Sequence, residues 1–321
     1  MMAERRFAHP VLDAPSLGEA PVAVRLLGEE FVLWRDGDGQ PRAARDRCPH
    51  RGTRLSLGRV CDGQIECPYH GWRFDAAGRC VDIPALPGFT PPASHGLAVS
   101  LLGEAHGLLW LHLDADAVLP RFDAEGDARL RKLNVGPYDV AASAPRIVEN
   151  FLDLAHFGFV HEGWLGDRGH TALADYRIEP TATGFVAQGC RAWQPQSNRL
   201  AAEGSWVDYR YEVTAPYAAV LTKLPQRQDG YRDEIALFVC PVDEERSRVW
   251  FRMALTDFDS SDEDLRAFQH TIFTQDQPVL ESQSPRRLPL TRGEVHCAAD
   301  RSSAAYRRFL REAGITFGVV Q

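Results

Sequence analysis

The chain has 321 residues, a length that suggests two domains at about 150 residues each. Hydrophobic residues make up 44% and charged residues 25%, an ordinary globular balance that excludes collagen-like, coiled-coil and disordered classes. The net charge of −8 offers nucleic acid no electrostatic support, no stretch of 18 apolar residues exists, and the first ten residues lack an apolar signal core, so the expected setting is the cytoplasm, without membrane or nucleic-acid partners.

Residues 1–118 read as short strands between turns. Val22–Leu27 and Phe31–Trp34 are β-rich, Asp36-Gly37-Asp38-Gly39 is a hairpin turn signal, and Leu108–Leu113 is another strand. Residues 114–127, rich in Asp, Ala and Gly with Pro120, mark a boundary between domains 1–118 and 119–321. A helix is predicted over Ile147–Val160, with Leu152, Ala155 and Phe159 on one stripe. Strands are predicted at Asp175–Glu179, Trp206–Val213, Glu234–Cys240 and Arg248–Leu255, the last two joined by a hairpin at Val242–Glu245. Ser260 with Glu263 fits a capping box opening a helix that carries Leu265, Phe268 and Ile272. Pro278 has no N–H for the Thr274 carbonyl and is expected to interrupt that helix. A last helix runs from about Ser302 to Ala313, with Gly314 as its C′ residue. The fold class is α+β, all-β first and then a mainly antiparallel sheet with a few helices.

Seven cysteines spread over the chain are a poor disulfide framework. Two of them lie beside histidines, in Cys48-Pro49-His50 and, sixteen residues on, Cys67-Pro68-Tyr69-His70. Two thiolates and two imidazoles suit either a closed tetrahedral zinc site or a [2Fe-2S] cluster with both Cys on one iron and both His on the other. Pro follows each Cys, and Gly52 and Gly71 follow each His, so two stiffened glycine loops can approach a bulky cluster. Cys48-Pro49-His50-Arg51-Gly52 and Cys67-Pro68-Tyr69-His70-Gly71-Trp72 resemble the two cluster loops of the Rieske iron–sulfur family. The resemblance implies that Cys48, His50, Cys67 and His70 bind the cluster.

Downstream, Asn150, Asp153 and His156 fall along one helical face, flanked by Phe151, Leu152, Leu154, Phe157 and Phe159. Polar groups on so apolar a helix need partners or a metal. His161 follows close behind, and two histidines with one carboxylate leave iron positions open for oxygen and substrate. Asp276, two residues before Pro278, is the candidate third ligand. Asn150-x-x-Asp153-x-x-His156-x4-His161, with Asp276 and Glu281 far downstream, resembles the oxygenase (alpha) subunit of Rieske non-haem iron ring-hydroxylating oxygenases, nearest in style to homotrimeric demethylases and monooxygenases.

That resemblance implies a Rieske domain over 1–118 and a helix-grip catalytic domain over 119–321. It implies mononuclear Fe(II) on His156, His161 and Asp276. Asp153 would bridge His156 to a cluster histidine, His70, of another subunit in a homotrimer, with Asn150 and Glu281 in support. The reaction would use O2 on a small, aromatic substrate, by hydroxylation or demethylation. No nicotinamide or flavin motif is evident, so a ferredoxin or flavin reductase would supply electrons. Arg42, Arg45, Arg47, Arg51, Arg54 and Arg59, with Asp46 as the one acid among them, form a candidate docking patch. Two other readings stand beside this one. An electron-transfer Rieske protein would have no second metal site, and a helix-grip ligand-binding protein would carry zinc.

Overall fold

The computed structural model describes residues 2–227 and 230–321. The chain forms two compact units, Arg5–Leu119 and the N-terminal residues through Glu4 together with Pro120–Gln321.

The first unit contains β1 (Ala8–Asp13), β2 (Val22–Leu26), β3 (Glu29–Arg35), β4 (Pro41–Arg45), β5 (Arg59–Cys61), β6 (Gln64–Glu66), β7 (Arg73–Phe74), β8 (Cys80–Asp82), β9 (Val99–Ala105) and β10 (Leu108–His112). A six-stranded antiparallel sheet runs β1-β10-β9-β4-β3-β2, and a four-stranded one runs β5-β6-β7-β8. Gly39 at φ +75° closes the turn between β3 and β4, where the Asp36 carboxylate accepts from the amides of Asp38 and Gln40. Trp34, Ala44, Leu55, Ile65 and Phe74 pack in one core with Cys48 and Cys67. Burying each large side chain there contributes about 1.5–3 kcal/mol, and the two cysteines are held as part of that core.

In the second unit a seven-stranded antiparallel sheet runs β11-β17-β16-β15-β14-β13-β12. Its strands are β11 (Arg131–Val140), β12 (Arg177–Pro180), β13 (Phe185–Gln194), β14 (Ser205–Ala215), β15 (Ala218–Pro225), β16 (Asp233–Asp243) and β17 (Arg246–Leu255). Three of them, β11, β13 and β15, lie outside the strands predicted from sequence. The register shifts at Gly136-Pro137 in β11 and at Gly189 in β13 break the alternation that would have marked them. Among the described residues, four α-helices accompany the sheet: α1 (Ala144–Phe151), α2 (Phe157–Val160), α3 (Asp262–Ser282) and α4 (Arg301–Glu312). Among the described residues no helix is long and apolar enough to cross a membrane.

Three local expectations are corrected. The helix predicted over 147–160 is two helices separated at Leu152–His156. Asp153 ends the first by accepting from the backbone N–H groups of Ala155 (3.1 Å) and His156 (3.2 Å), bonds that compete with helical ones. The cap of α3 is Ser261, which accepts from Asp264 N, while Ser260 donates to Asp257. Pro278 does not interrupt α3, because one missing donor removes a single hydrogen bond from a helix of 21 residues whose buried face holds it to the sheet.

Candidate active site and metal centres

The two Cys/His loops repeat one backbone design. Cys48 N donates to Thr53 O and Gly52 N to Cys48 O; Cys67 N donates to Trp72 O and Gly71 N to Cys67 O. Gly52 (φ +75°) and Gly71 (φ +69°) occupy the left-handed region, where a side chain would strain the turn. Both cysteines are 2% exposed, whereas His50 and His70 sit at the surface with ring centroids 4.5 Å apart. Trp72 stacks on His50 at 4.6 Å, and Tyr69 lies tilted against His70 at 3.8 Å. Burial and the neighbouring Cys67 thiol push the Cys48 thiol up, so a thiolate there needs a metal to hold its charge. Two buried sulfur donors and two imidazoles on matched loops fit a [2Fe-2S] cluster. No disulfide joins any of the seven cysteines.

In the second unit, the turn at Asp153 and the short helix α2 bring His156 and His161 together, and the buried face of α3 delivers Asp276. The Nε2 atoms of His156 and His161 are 3.2 Å apart, and Asp276 Oδ1 lies 3.2 Å from His161 Nε2 and 3.5 Å from His156 Nε2. Metal–ligand bonds of about 2 Å put neighbouring ligands roughly 3 Å apart, so these donors suit one ion. Among the described residues, this is the set of three or more His, Cys, Asp and Glu donors that closes to within 4.8 Å. Asp276 falls on the core-facing stripe of α3, with Gln269, Ile272, Phe273 and Leu280 also buried, so regular helical direction and not a break aims it.

Each histidine is oriented through its other nitrogen. His161, 1% exposed, donates from Nδ1 to Gln275 Oε1 at 2.8 Å. His156 Nδ1 and Asp153 Oδ2 are 2.8 Å apart. Burial acts to raise the Asp153 pKa, but His156 and the two backbone amides outweigh it and hold the carboxyl below its ordinary value. These partners fix the tautomer that turns both Nε2 lone pairs toward a metal. Asn150 Nδ2 donates to Asp276 Oδ1 at 3.3 Å, which orients the carboxylate. Glu281 stands elsewhere: it accepts from Ala141 N and Gln277 Nε2, tying α3 to the end of β11. Gln275 was not among the residues picked out by sequence, since nothing in its spacing separates it from an ordinary helical glutamine.

His156, His161 and Asp276 line a cavity that is partly open to solvent. Alternate residues of adjacent strands tile its wall in register. Tyr211, Leu221, Ile235 and Met253 make one row, and Tyr209, Lys223, Asp233 and Leu255 make the next. Phe151 meets Tyr211 edge-on at 6.0 Å, and Tyr209 stacks on Tyr211 at 5.7 Å. Such a wall offers flat faces to a planar ring.

Residues 8–96 match the Rieske [2Fe-2S] domain, and residues 140–314 match the vanillate O-demethylase oxygenase C-terminal domain. The chain is 34% identical over 318 residues to methylxanthine N1-demethylase NdmA of Pseudomonas putida, covering 96% of this chain and 88% of that protein. It is 30% identical over 328 residues to methylxanthine N3-demethylase NdmB of the same organism, covering 97% and 90%. Among solved structures it is similar to Pseudomonas putida NdmA with caffeine, with a TM-score of 0.84, 32% identity, and 97% and 91% of the two chains covered.

Proposed function

Because the chain belongs to the Rieske non-haem iron oxygenases, as their oxygenase (alpha) subunit, we propose that it removes an N-linked methyl group from a small planar heterocycle. As an oxygenase component it is an oxidoreductase that uses O2 and externally supplied electrons on a small aromatic substrate, with a [2Fe-2S] cluster and mononuclear iron as cofactors. In this reading Cys48, His50, Cys67 and His70 hold the cluster in domain 1–118, and His156, His161 and Asp276 hold the iron in domain 119–321. The observation that carries it is the convergence of three donors beside an aromatic wall, in a chain whose near-full-length relatives are methylxanthine N-demethylases.

When bound, the cluster supplies single electrons and the iron supplies activation of oxygen. The chain's own residues prepare for that chemistry. Gln275 Oε1 and Asp153 Oδ2 hold the Nδ1 protons of the two histidines, and Asn150 steadies the Asp276 carboxylate. Phe151, Tyr209 and Tyr211 exclude water and stack on a planar ring. The Asp153 side chain stays 30% exposed, which leaves an edge for the cluster histidine of a neighbouring subunit. The proposed assembly is therefore a cytoplasmic homotrimer served by a ferredoxin or flavin reductase.

The reconstituted enzyme with a reductase is expected to consume O2 and release formaldehyde when given N-methylated heterocycles such as theobromine. Methoxybenzoates should give neither. Formaldehyde from methoxybenzoates alone would refute N-demethylation. In His156→Ala the cluster absorbance should persist while iron falls from about three to about two per chain; an unchanged iron content would remove His156 from the ligand set.

A further inference from the structure

One row of the pocket wall is unlike the rest. Lys223 and Asp233 are directly paired across β15 and β16, and both line the cavity among aromatic and aliphatic side chains. They are 6% and 5% exposed, and among the described residues neither joins a salt bridge. The Tyr231 hydroxyl is turned to the Asp233 carboxylate, yet Asp233 Oδ1 has no hydrogen-bond partner. The Tyr211 hydroxyl, fully buried in the adjoining row, also has none.

A buried carboxyl oxygen without a partner is costly, and a buried ammonium more so, so a pair kept inside a pocket signals a ligand that completes it. Composition sharpens the contrast. The chain has only two lysines against 34 arginines, and the other, Lys132, gives its ammonium to the Asp127 and Leu130 carbonyls. Burial drives the Lys223 pKa down and the Asp233 pKa up while each opposes the shift in the other, so the pair is neutral as a unit. A carboxylate ligand would be drawn to Lys223 but repelled by Asp233, and a cationic amine would meet the reverse. A neutral edge with one donor beside one acceptor meets both.

We propose that Lys223 and Asp233 form a specificity edge that recognises a ring N–H adjacent to a carbonyl, the lactam or imide edge of an N-heterocycle. The N–H donates to the Asp233 carboxylate, and the carbonyl accepts from Lys223 Nζ. This rests on the N-heterocycle demethylase reading and narrows its substrates to those with an unmethylated lactam edge. The site then rejects aromatic carboxylates and rings alkylated at that nitrogen, because either leaves Asp233 unsatisfied or facing a like charge.

The test is calorimetric binding to the oxidised holoenzyme, without electron donor, of 2-quinolone, N-methyl-2-quinolone and 1-naphthoate. The wild type is expected to bind 2-quinolone roughly tenfold tighter than its N-methyl analogue, and 1-naphthoate weakest of the three. In Lys223→Met/Asp233→Leu, which leaves no buried charge unpaired, that ratio should fall to about one, with the cluster absorbance reporting a folded protein. The nearly isosteric Asp233→Asn should also lower the ratio and serves if the double variant fails to fold. A wild type that prefers the N-methyl compound or the naphthoate, or binds none, overturns the proposal, as does an unchanged ratio in the variants. Since no turnover is involved, a retained lactam preference with no formaldehyde from N-methyl heterocycles would sink the demethylase reading alone.

Discussion

His161 is the most tightly held of the three donors, buried and hydrogen-bonded through Nδ1 to Gln275. Removing that acceptor in Gln275→Leu should weaken iron binding by roughly 10- to 100-fold in chelator competition, with the cluster absorbance unchanged. Unaltered iron affinity would reduce Gln275 to a packing residue. The histidines and Asp276 were legible in the sequence because imidazoles and carboxylates in an apolar setting demand an explanation. Gln275 was not, because its role depends on where α3 faces α2, and no spacing along one helix records that.

At the scale of the elements, the predicted helix over 147–160 is broken by one of the proposed site residues. Asp153 takes two backbone amides and the His156 ring, so the side chain that positions the metal ligand also turns the chain toward His161. Ion pairs also tie α1 to α4. Arg307 donates to Glu149 and Glu294, and Arg146, 2% exposed, pairs with Glu294 at 2.6 Å. Burial tends to raise the Glu294 pKa, but the two arginines outweigh it and hold the carboxyl below its ordinary value. A carboxyl depressed in the folded state stabilises above its unfolded pKa and loses that contribution as pH falls through the folded one. Glu294→Gln should therefore cost about 1–3 kcal/mol in denaturant melts at pH 7, and the gap from wild type should begin to narrow only as pH falls below the unfolded carboxyl value of about 4.3. A gap that persists into acid would mean that the loss is one of shape and not of charge.

For the whole molecule, the arginine-rich segment beside the cluster loops is smaller as a docking surface than its composition suggests. Arg42 pairs with Asp36, Arg45 with Glu29, Arg54 with Glu30 and Arg59 with Glu66, acids that all lie outside the segment in sequence. Arg47 and Arg51 are exposed next to the Cys48 loop, so Arg47→Glu/Arg51→Glu, rather than changes at Arg42 and Arg45, should slow cluster reduction by an acidic ferredoxin at low salt. An unchanged stopped-flow rate would exclude docking there. The sequence by itself determined the α+β class and the antiparallel sheet and singled out the two proposed ligand sets, because residue type, short-range spacing and alternation are local. Only the tertiary structure decided which strand residues face the cavity. It set Lys223 opposite Asp233 and withdrew Glu281 from the metal site to a hydrogen bond with Ala141. Those outcomes follow from strand register and helix packing, which join residues far apart in the chain, and a one-residue shift in register would turn the whole wall over.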